Sequence, residues 1–367
     1  MRVKNLALKN FRNYADERFE FGDGVNVIAG DNAQGKTNCV EAVFLLATGY
    51  SPRVKKDRQV ISYGKEKAEI KLEAASLYGK VEVSLSYYAQ GDKKILINGA
   101  ETKRSGELFG NVYAVYFSPQ ELKLIQESPE DRRRFLDIAI SELSRKYFYS
   151  LVKYKKIIDQ RNKLLKEPDR ETVLDTLPIW DEQLAGYFAD VVTARNDFIE
   201  KLGPEAEKAH AFITDGKEKL SVSGGLKYFG DRDDIIEQIK IDLMNSTDKD
   251  LALGYTSIGP HRDDLKILLN GEDVRAFGSQ GQQRTAALSL KLAELEILKN
   301  HYGEYPVLIL DDAMSELDEA RRKRILKKVE GVQTLITCTD HDAPVFSDKN
   351  FTLFKISDGK IMEKVGL

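Results

Sequence analysis

The sequence predicts an α/β protein, and three observations carry that prediction. A short apolar strand, Val25-Asn26-Val27-Ile28-Ala29, runs straight into the glycine-rich stretch Gly30-Asp31-Asn32-Ala33-Gln34-Gly35-Lys36-Thr37 and then into an apolar helix from Val40 to Leu46. Near the other end, the continuous apolar run Tyr305 to Leu310 reads as a strand buried on both faces of a parallel sheet, and it ends in two carboxylates, Asp311-Asp312. Between them lie segments of period two followed by segments of helical period.

The elements follow in order. The first thirty residues break at Phe11-Arg12-Asn13-Tyr14 and at Gly22-Asp23-Gly24 and read as three strands. Ala68 to Ala74, Val81 to Tyr88 and Lys94 to Ile97, separated at Gly79 and Gly91-Asp92, read as an antiparallel meander. From Pro119 the period is helical: Tyr147, Leu151, Tyr154, Ile158 and Leu165 form one apolar stripe. After Glu167-Pro168-Asp169 a second helix carries Leu184, Phe188, Val191 and Phe198 and is expected to stop at Gly203-Pro204. The pair is expected to be a compact helical hairpin, without the sustained heptads of a long coiled coil. Beyond Asp312 the pattern gives a basic helix from Asp318 to Val329, a buried strand from Gln333 to Cys338 and a hairpin turned at Asp358-Gly359.

Composition narrows the function classes. Of the 367 residues 42% are hydrophobic and 31% charged, the balance of an ordinary globular protein. Apolar runs such as Val40 to Ala47 fall far short of the roughly 18 residues of a membrane span. The start, Met1 to Leu6, alternates and lacks the apolar core of a signal peptide, so no membrane is expected and the location expected is cytoplasmic. Cys39 and Cys338 lie far apart and outside any CxxC or Cys/His cluster, which supports neither zinc nor a disulfide. A net charge of −3 gives no overall pull on nucleic acid, so contacts would come from local basic patches.

The glycine-rich stretch fits GxxxxGK[ST] in the context the motif requires, after a strand and opening a helix. Glycine lets the backbone wrap a β-phosphate, the helix amino terminus offers N–H donors, and Lys36 can reach the β- and γ-phosphates. Thr37 is placed to hold Mg²⁺ through its hydroxyl, and Asp311, at the end of a neighbouring strand, to reach the same metal. Asp312 is placed to orient or deprotonate the attacking water, a role that its position favours over a helix or turn cap. A second helix amino terminus, Phe277-Gly278-Ser279-Gln280-Gly281-Gln282-Gln283-Arg284, opens an apolar helix from Ala286 to Leu298. It too suits a phosphate. The near side of the nucleotide is already taken, so Ser279 is expected to face a nucleotide held by a second subunit.

In this order, with Ser315-Glu316-Leu317-Asp318 after the carboxylates, the motifs resemble those of the ABC ATPases: Walker A, signature, Walker B and D-loop. Asn10-Phe11-Arg12-Asn13-Tyr14, Ser128-Pro129-Glu130-Asp131-Arg132-Arg133-Arg134-Phe135-Leu136-Asp137, Gly259-Pro260-His261-Arg262-Asp263-Asp264 and Gly278 to Thr285 resemble, more narrowly, the RecF family over nearly the whole chain. The resemblance implies an ABC-type P-loop ATPase head with an antiparallel β subdomain, an inserted helical lobe and no long coiled coil. Lobe I would comprise residues 1–118 with 303–367, and lobe II, carrying the signature, residues 119–302. Its cofactors would be ATP and Mg²⁺.

Carried over by residue, the resemblance implies ATP contacts from Arg12, Gly30, Asp31, Asn32, Ala33, Gln34, Gly35, Lys36, Thr37, Asn38 and Thr339, the last at the switch position. Ser279, Gln280, Gly281 and Gln282 would contact the nucleotide of the other copy. Gln120 would occupy the Q-loop, joining Thr37 and Asp311 at the metal and Lys36 and Asp312 in catalysis. Asp312 stands where most ABC proteins have Glu, which implies slow turnover. His341 is given no role, and His261 is read as structural. The family implies an ATP-dependent homodimer that clamps double-stranded or gapped DNA and, with RecR and possibly RecO, assists recombinase loading. Of the basic clusters, Arg53, Lys55, Lys56 and Arg58 are the first choice for DNA; Lys93-Lys94, Lys103-Arg104 and Arg321 to Lys328 are the others. The competing readings are a transporter-type ATPase subunit, a chromosome protein with long coiled arms, and a nucleotide-gated scaffold with negligible hydrolysis.

Overall fold

Val307–Asp311 and Thr334–Cys338 are buried at every position, as their unbroken apolar character requires, and they lie at the centre of a six-stranded sheet. The computed structural model describes residues 1–54, 56–225, 227–314, 318–339 and 351–366. The sheet order is Lys360–Val365, Phe351–Ser357, Val25–Ala29, Thr334–Cys338, Val307–Asp311 and Ala114–Phe117. Only Lys360–Val365 runs antiparallel to its neighbour. The register sets Cys338 beside Ala29 and Thr337 beside Asp311, so the carboxyl ends of the central strands meet on one edge. Open parallel sheets bind ligands at that edge.

Strand alternation sends neighbouring side chains into two different cores. Ile28, Ile309 and Leu335 pack with the helix Lys36–Thr48 and an antiparallel sheet built around Arg2–Phe11, Lys67–Ser76 and Gly79–Tyr88. Val27, Ala29, Leu308, Leu310 and Ile336 face the other way, onto helices that include Gln280–Tyr302. The meander and the three amino-terminal strands lie where the alternation puts them.

The helical part corrects one expectation. Arg145–Leu164 matches its stripe, but the next helix, Arg170–Thr214, passes through Gly203-Pro204 and runs for 45 residues. Proline removes one hydrogen bond, a cost that burial of Leu202, Ala206, Ala209 and Ile213 along the same face offsets. Gly203 permits a close approach: a Cβ there would lie 3.1 Å from the Val222 carbonyl oxygen of the strand Leu220–Gly224. The helix stops instead at Asp215, which adopts the left-handed φ of 61°. Among the described residues no helix is long and apolar enough to cross a membrane.

Candidate nucleotide-binding site

The glycine-rich loop leaves Ala29 at the sheet edge and turns into Lys36–Thr48 through Gly35, which has φ 118° and offers no side-chain cap to the helix. The first-turn N–H groups are therefore open to a ligand. Gly30 and Gly35 are needed for close approach. A Cβ on Gly30 would sit 2.3 Å from the Ile356 carbonyl oxygen, and one on Gly35 would sit 2.8 Å from the Asn13 side chain. Lys36 is 4% exposed, and its ammonium donates to the Gly30 and Asp31 carbonyls at 2.7 and 2.9 Å.

The Thr37 hydroxyl donates to Asp311 Oδ1 at 2.9 Å. Thr337 donates to the same oxygen at 2.7 Å, and the Tyr116 hydroxyl donates to Asp311 Oδ2 at 2.6 Å. Burial, then the Asp311 charge, pushes the Tyr116 phenol far up, so it stays a donor and fixes the carboxylate. Asp312 takes the left-handed φ of 51°, with its N–H on the Thr337 hydroxyl at 2.8 Å. Its carboxylate stays 3.5 Å from the same Thr337 hydroxyl. The Thr37 and Asp311 oxygens form a hard-donor pair that fits Mg²⁺.

Several supports of the loop carried no role in the sequence reading. Asn13 donates to the Gln34 carbonyl at 2.8 Å and accepts from Asn38 at 2.8 Å, and the Tyr14 hydroxyl donates to the Gly35 carbonyl at 2.9 Å. The Asp358-Gly359 hairpin closes on Gln34, with the Asp358 N–H 2.6 Å from its side-chain oxygen and the Gly359 N–H 3.0 Å from its carbonyl. Arg12 grips the fully buried Glu41 of the loop helix with two donors, at 2.6 and 3.0 Å. Asn13 and Tyr14 stood in a stretch already singled out; tyrosines and threonines on buried strands such as Tyr116 and Thr337 leave no pattern of their own.

Ser279 caps Gln280–Tyr302 in a reciprocal arrangement with Gln282, whose amide also donates to Glu218 at 2.9 Å. Ser279 and Gln280 are exposed, and Phe277 beside them is 72% exposed. Gln120 is exposed on the turn Pro119–Leu122, and Thr339 is half-buried past the end of its strand. Lys55, Ser315 to Leu317 and His341 lie outside the described residues. His261 donates from Nε2 to the Thr256 carbonyl at 3.0 Å and accepts at Nδ1 from the Tyr154 hydroxyl at 2.6 Å, and burial lowers its pKa to about 4.

The basic clusters separate by environment. Arg53 is tied to Asn38 at 2.6 Å. Lys56 and Arg58 share a cleft of about 860 Å³ with Lys93, Lys94 and Lys103, so three clusters distant in sequence converge. Within the cleft Lys93 pairs with Asp57 at 3.0 Å and Lys94 with Glu101 at 2.8 Å; on Glu319–Lys328, Arg324 is likewise bound to the Ile213 carbonyl and Lys328 to Glu296.

A parallel sheet with a phosphate loop, a strand-end carboxylate pair and a separate serine-capped helix defines an ATP-binding head of the ABC type. The family model "RecF/RecN/SMC N terminal domain" matches residues 2–362. The DNA replication and repair protein RecF of Ruminiclostridium cellulolyticum is 42% identical over 98% of this chain and 99% of its own length, and that of Clostridium acetobutylicum 42% identical over 99% and 100%. A solved structure of the recombination mediator protein RecF-ATPrS in the RecFOR pathway matches at TM-score 0.90 and 41% identity, covering 99% of this chain and 98% of that one. The chain belongs to the RecF family. An Smc head bound to the C-terminal winged-helix domain of ScpA shares the fold, at TM-score 0.59 and 15% identity.

Proposed function

We propose that this chain is a slow ATPase whose ATP-bound form dimerises and clamps double-stranded or gapped DNA, assisting recombinase loading with RecR and possibly RecO. The observation that carries the reading is the pairing of a self-contained phosphate site at Lys36, Thr37 and Asp311 with an exposed Ser279 whose hydroxyl accepts from Gln282 and keeps its own proton to donate. Two copies facing each other would set Ser279 of one, with Gln280, Gly281 and Gln282, against the nucleotide of the other. ATP then favours the closed state through contacts that its hydrolysis removes. The lobes proposed are residues 1–118 with 303–367, and 119–302. The process is placed in the cytoplasm.

Within one site, Lys36 would leave the two carbonyls it now bonds and take up the β- and γ-phosphates. Mg²⁺ held by Thr37 and Asp311, with Gln120 nearby, would neutralise charge developing on the phosphoryl oxygens. Asp312 would receive the proton of the attacking water. Arg12 supports the loop through Glu41, and a nucleotide contact from it would share that pairing. Sequence-independent DNA contacts are proposed for Lys56 and Arg58, now joined by Lys93, Lys94 and Lys103, with Arg53 and Lys55 adjacent in sequence.

The test is binding of a labelled gapped duplex, with and without ATP, to the wild type, Lys36→Met and Ser279→Arg across a salt series. ATP is expected to strengthen a salt-sensitive complex, and both substitutions to abolish the gain. Hydrolysis without DNA binding in any state would overturn the clamp.

A further inference from the structure

The helix Pro129–Leu143 carries three consecutive arginines whose surroundings differ sharply. Arg132 is paired in two-pronged fashion with Asp264, at 2.6 and 2.9 Å. Among the described residues Arg133 has only a backbone hydrogen-bond partner, the Asp263 carbonyl at 2.8 Å. Among the described residues Arg134 has no hydrogen bond and no ion pair; its guanidinium lies over the Tyr50 ring, 4.3 Å from the centroid. Both are half-buried, and burial lowers the pKa of both; Asp264, Glu130 and Asp137 act on Arg133 from a distance, whereas at Arg134 no carboxylate offsets the lost water. Removing a cation from water is costly unless an anion compensates. Arg134, with Arg133 beside it, calls for one.

They border a cavity of about 540 Å³, within the range of small-molecule sites. Its apolar wall is formed by Tyr50, Phe109, Ile138, Phe148 and Leu151, with the Phe109 and Phe148 rings 5.2 Å apart. Among the described residues the carboxylates at its edge form no ion pair with Arg133 or Arg134. Asp137 is engaged by Arg195 at 2.6 Å and Lys155 at 3.1 Å, and Glu130 is exposed and pairs with neither arginine. The cavity thus presents aromatic surface on one side and, on the other, the Arg133 and Arg134 guanidiniums, the second with no carboxylate acting on it. We propose that it binds a nucleoside monophosphate, with the phosphate on Arg133 and Arg134 and the base against Phe109 and Phe148.

The site is separate from the phosphate loop. Thr48, Gly49 and Tyr50 place it at the carboxyl end of the loop helix, roughly 20 Å from Lys36 by the rise of that helix. It also touches the helical part through Leu151 and Arg195. A ligand there contacts both regions and can bias how they sit together. The inference does not depend on the clamp.

Equilibrium dialysis with labelled AMP, GMP and a 5′-phosphorylated dinucleotide, in saturating ADP to fill the phosphate loop, tests it. One equivalent beyond ADP is expected, weakened about tenfold or more by Arg134→Gln and by Arg133→Gln, with ADP binding unchanged. Preference for the dinucleotide assigns the phosphate to a DNA end, and preference for the mononucleotides to a free ligand. Should the arginine variants not fold, Ile138→Trp, which fills the cavity, is expected to abolish the extra equivalent. Absence of binding by every probe, or binding unchanged in the folded variants, overturns the proposal.

Discussion

The phosphate-loop end and the signature end are both helix amino termini, yet the chain holds them in opposite ways. Gly35 leaves the first turn of its helix uncapped, while parts remote in sequence brace the loop: Asn13 and Tyr14 on one side, the Asp358-Gly359 hairpin on another, Asp311 beneath. Ser279 caps its own helix, draws on local partners and Glu218, and is exposed. The first end is preorganised with free donors. The second is satisfied within its chain, though a hydroxyl that accepts from Gln282 keeps its own proton to donate. One end is ready for a ligand, the other for a surface.

The largest expected effect falls on the braced end. Asp312→Asn should lower ATP turnover by about 10²- to 10⁴-fold, the range of a lost general base, and leave ATP affinity within a few fold. Steady-state phosphate release and equilibrium ATP binding measure the two separately. Loss of binding as well would make Asp312 a support of the loop and blur the contrast.

Next in size is a matched pair of glycine substitutions. Gly359 has φ 67°, and a Cβ there would sit 2.3 Å from the Asn13 carbonyl oxygen, so Gly359→Ala should cost about 1–3 kcal/mol and weaken ATP binding. Gly281 lies in the first turn of the signature helix, where a Cβ meets only the flexible end of Arg321, at 3.3 Å. Gly281→Ala should hold or raise stability by up to about 1 kcal/mol and act only on ATP-dependent dimerisation. Equal falls in thermal midpoint would erase the distinction between the two ends.

This contrast also explains which features were legible in the sequence. Lys36, Thr37 and Asp311 could be read because their chemistry imposes a spacing and because a strand buried on both faces has an unmistakable composition. The strand of the phosphate loop, the meander and the basic helix were legible for the same reason, periodicity under burial. The brace was not: Asn13, Tyr116, Thr337 and Asp358 meet through tertiary packing, and no local rule connects residue 34 to residue 358. The helix through Gly203-Pro204 failed in the reverse sense. A local stop signal was present, and burial along Leu202 to Ile213 overrode it. Arg133 and Arg134 stood in a stretch that carried a family resemblance, and nothing local shows that the fold half-buries them beside a cavity.

The smallest expected effect is on pH dependence and separates the ends again. His210 lies fully buried behind the signature helix, between Ser289 at 3.1 Å and Glu218 at 3.2 Å, with Arg321 the other charge that acts on it. Burial lowers its pKa more than Glu218 raises it. A histidine with a folded pKa below its unfolded value binds protons more readily when unfolded. Its stabilising contribution is therefore complete above the unfolded value of about 6.5 and declines as pH falls below it. His261, lowered to about 4, contributes with the same sign between about 6.5 and 4 but packs on Tyr154, away from the signature. Among the described residues the phosphate loop and its braces include no histidine. Glu218 joins His210 to Gln282, so acidification should loosen the signature turn before the phosphate loop. Amide hydrogen exchange at pH 7.5 and 5.5, corrected for intrinsic rates, should show lost protection at Gln282 and Gln283 and little at Cys39, whose N–H bonds the Gly35 carbonyl at 3.1 Å. His210→Gln should flatten the change, and His261→Gln should leave it at the signature. Equal loosening of both ends would mean that the brace and the cap share one acid-sensitive support.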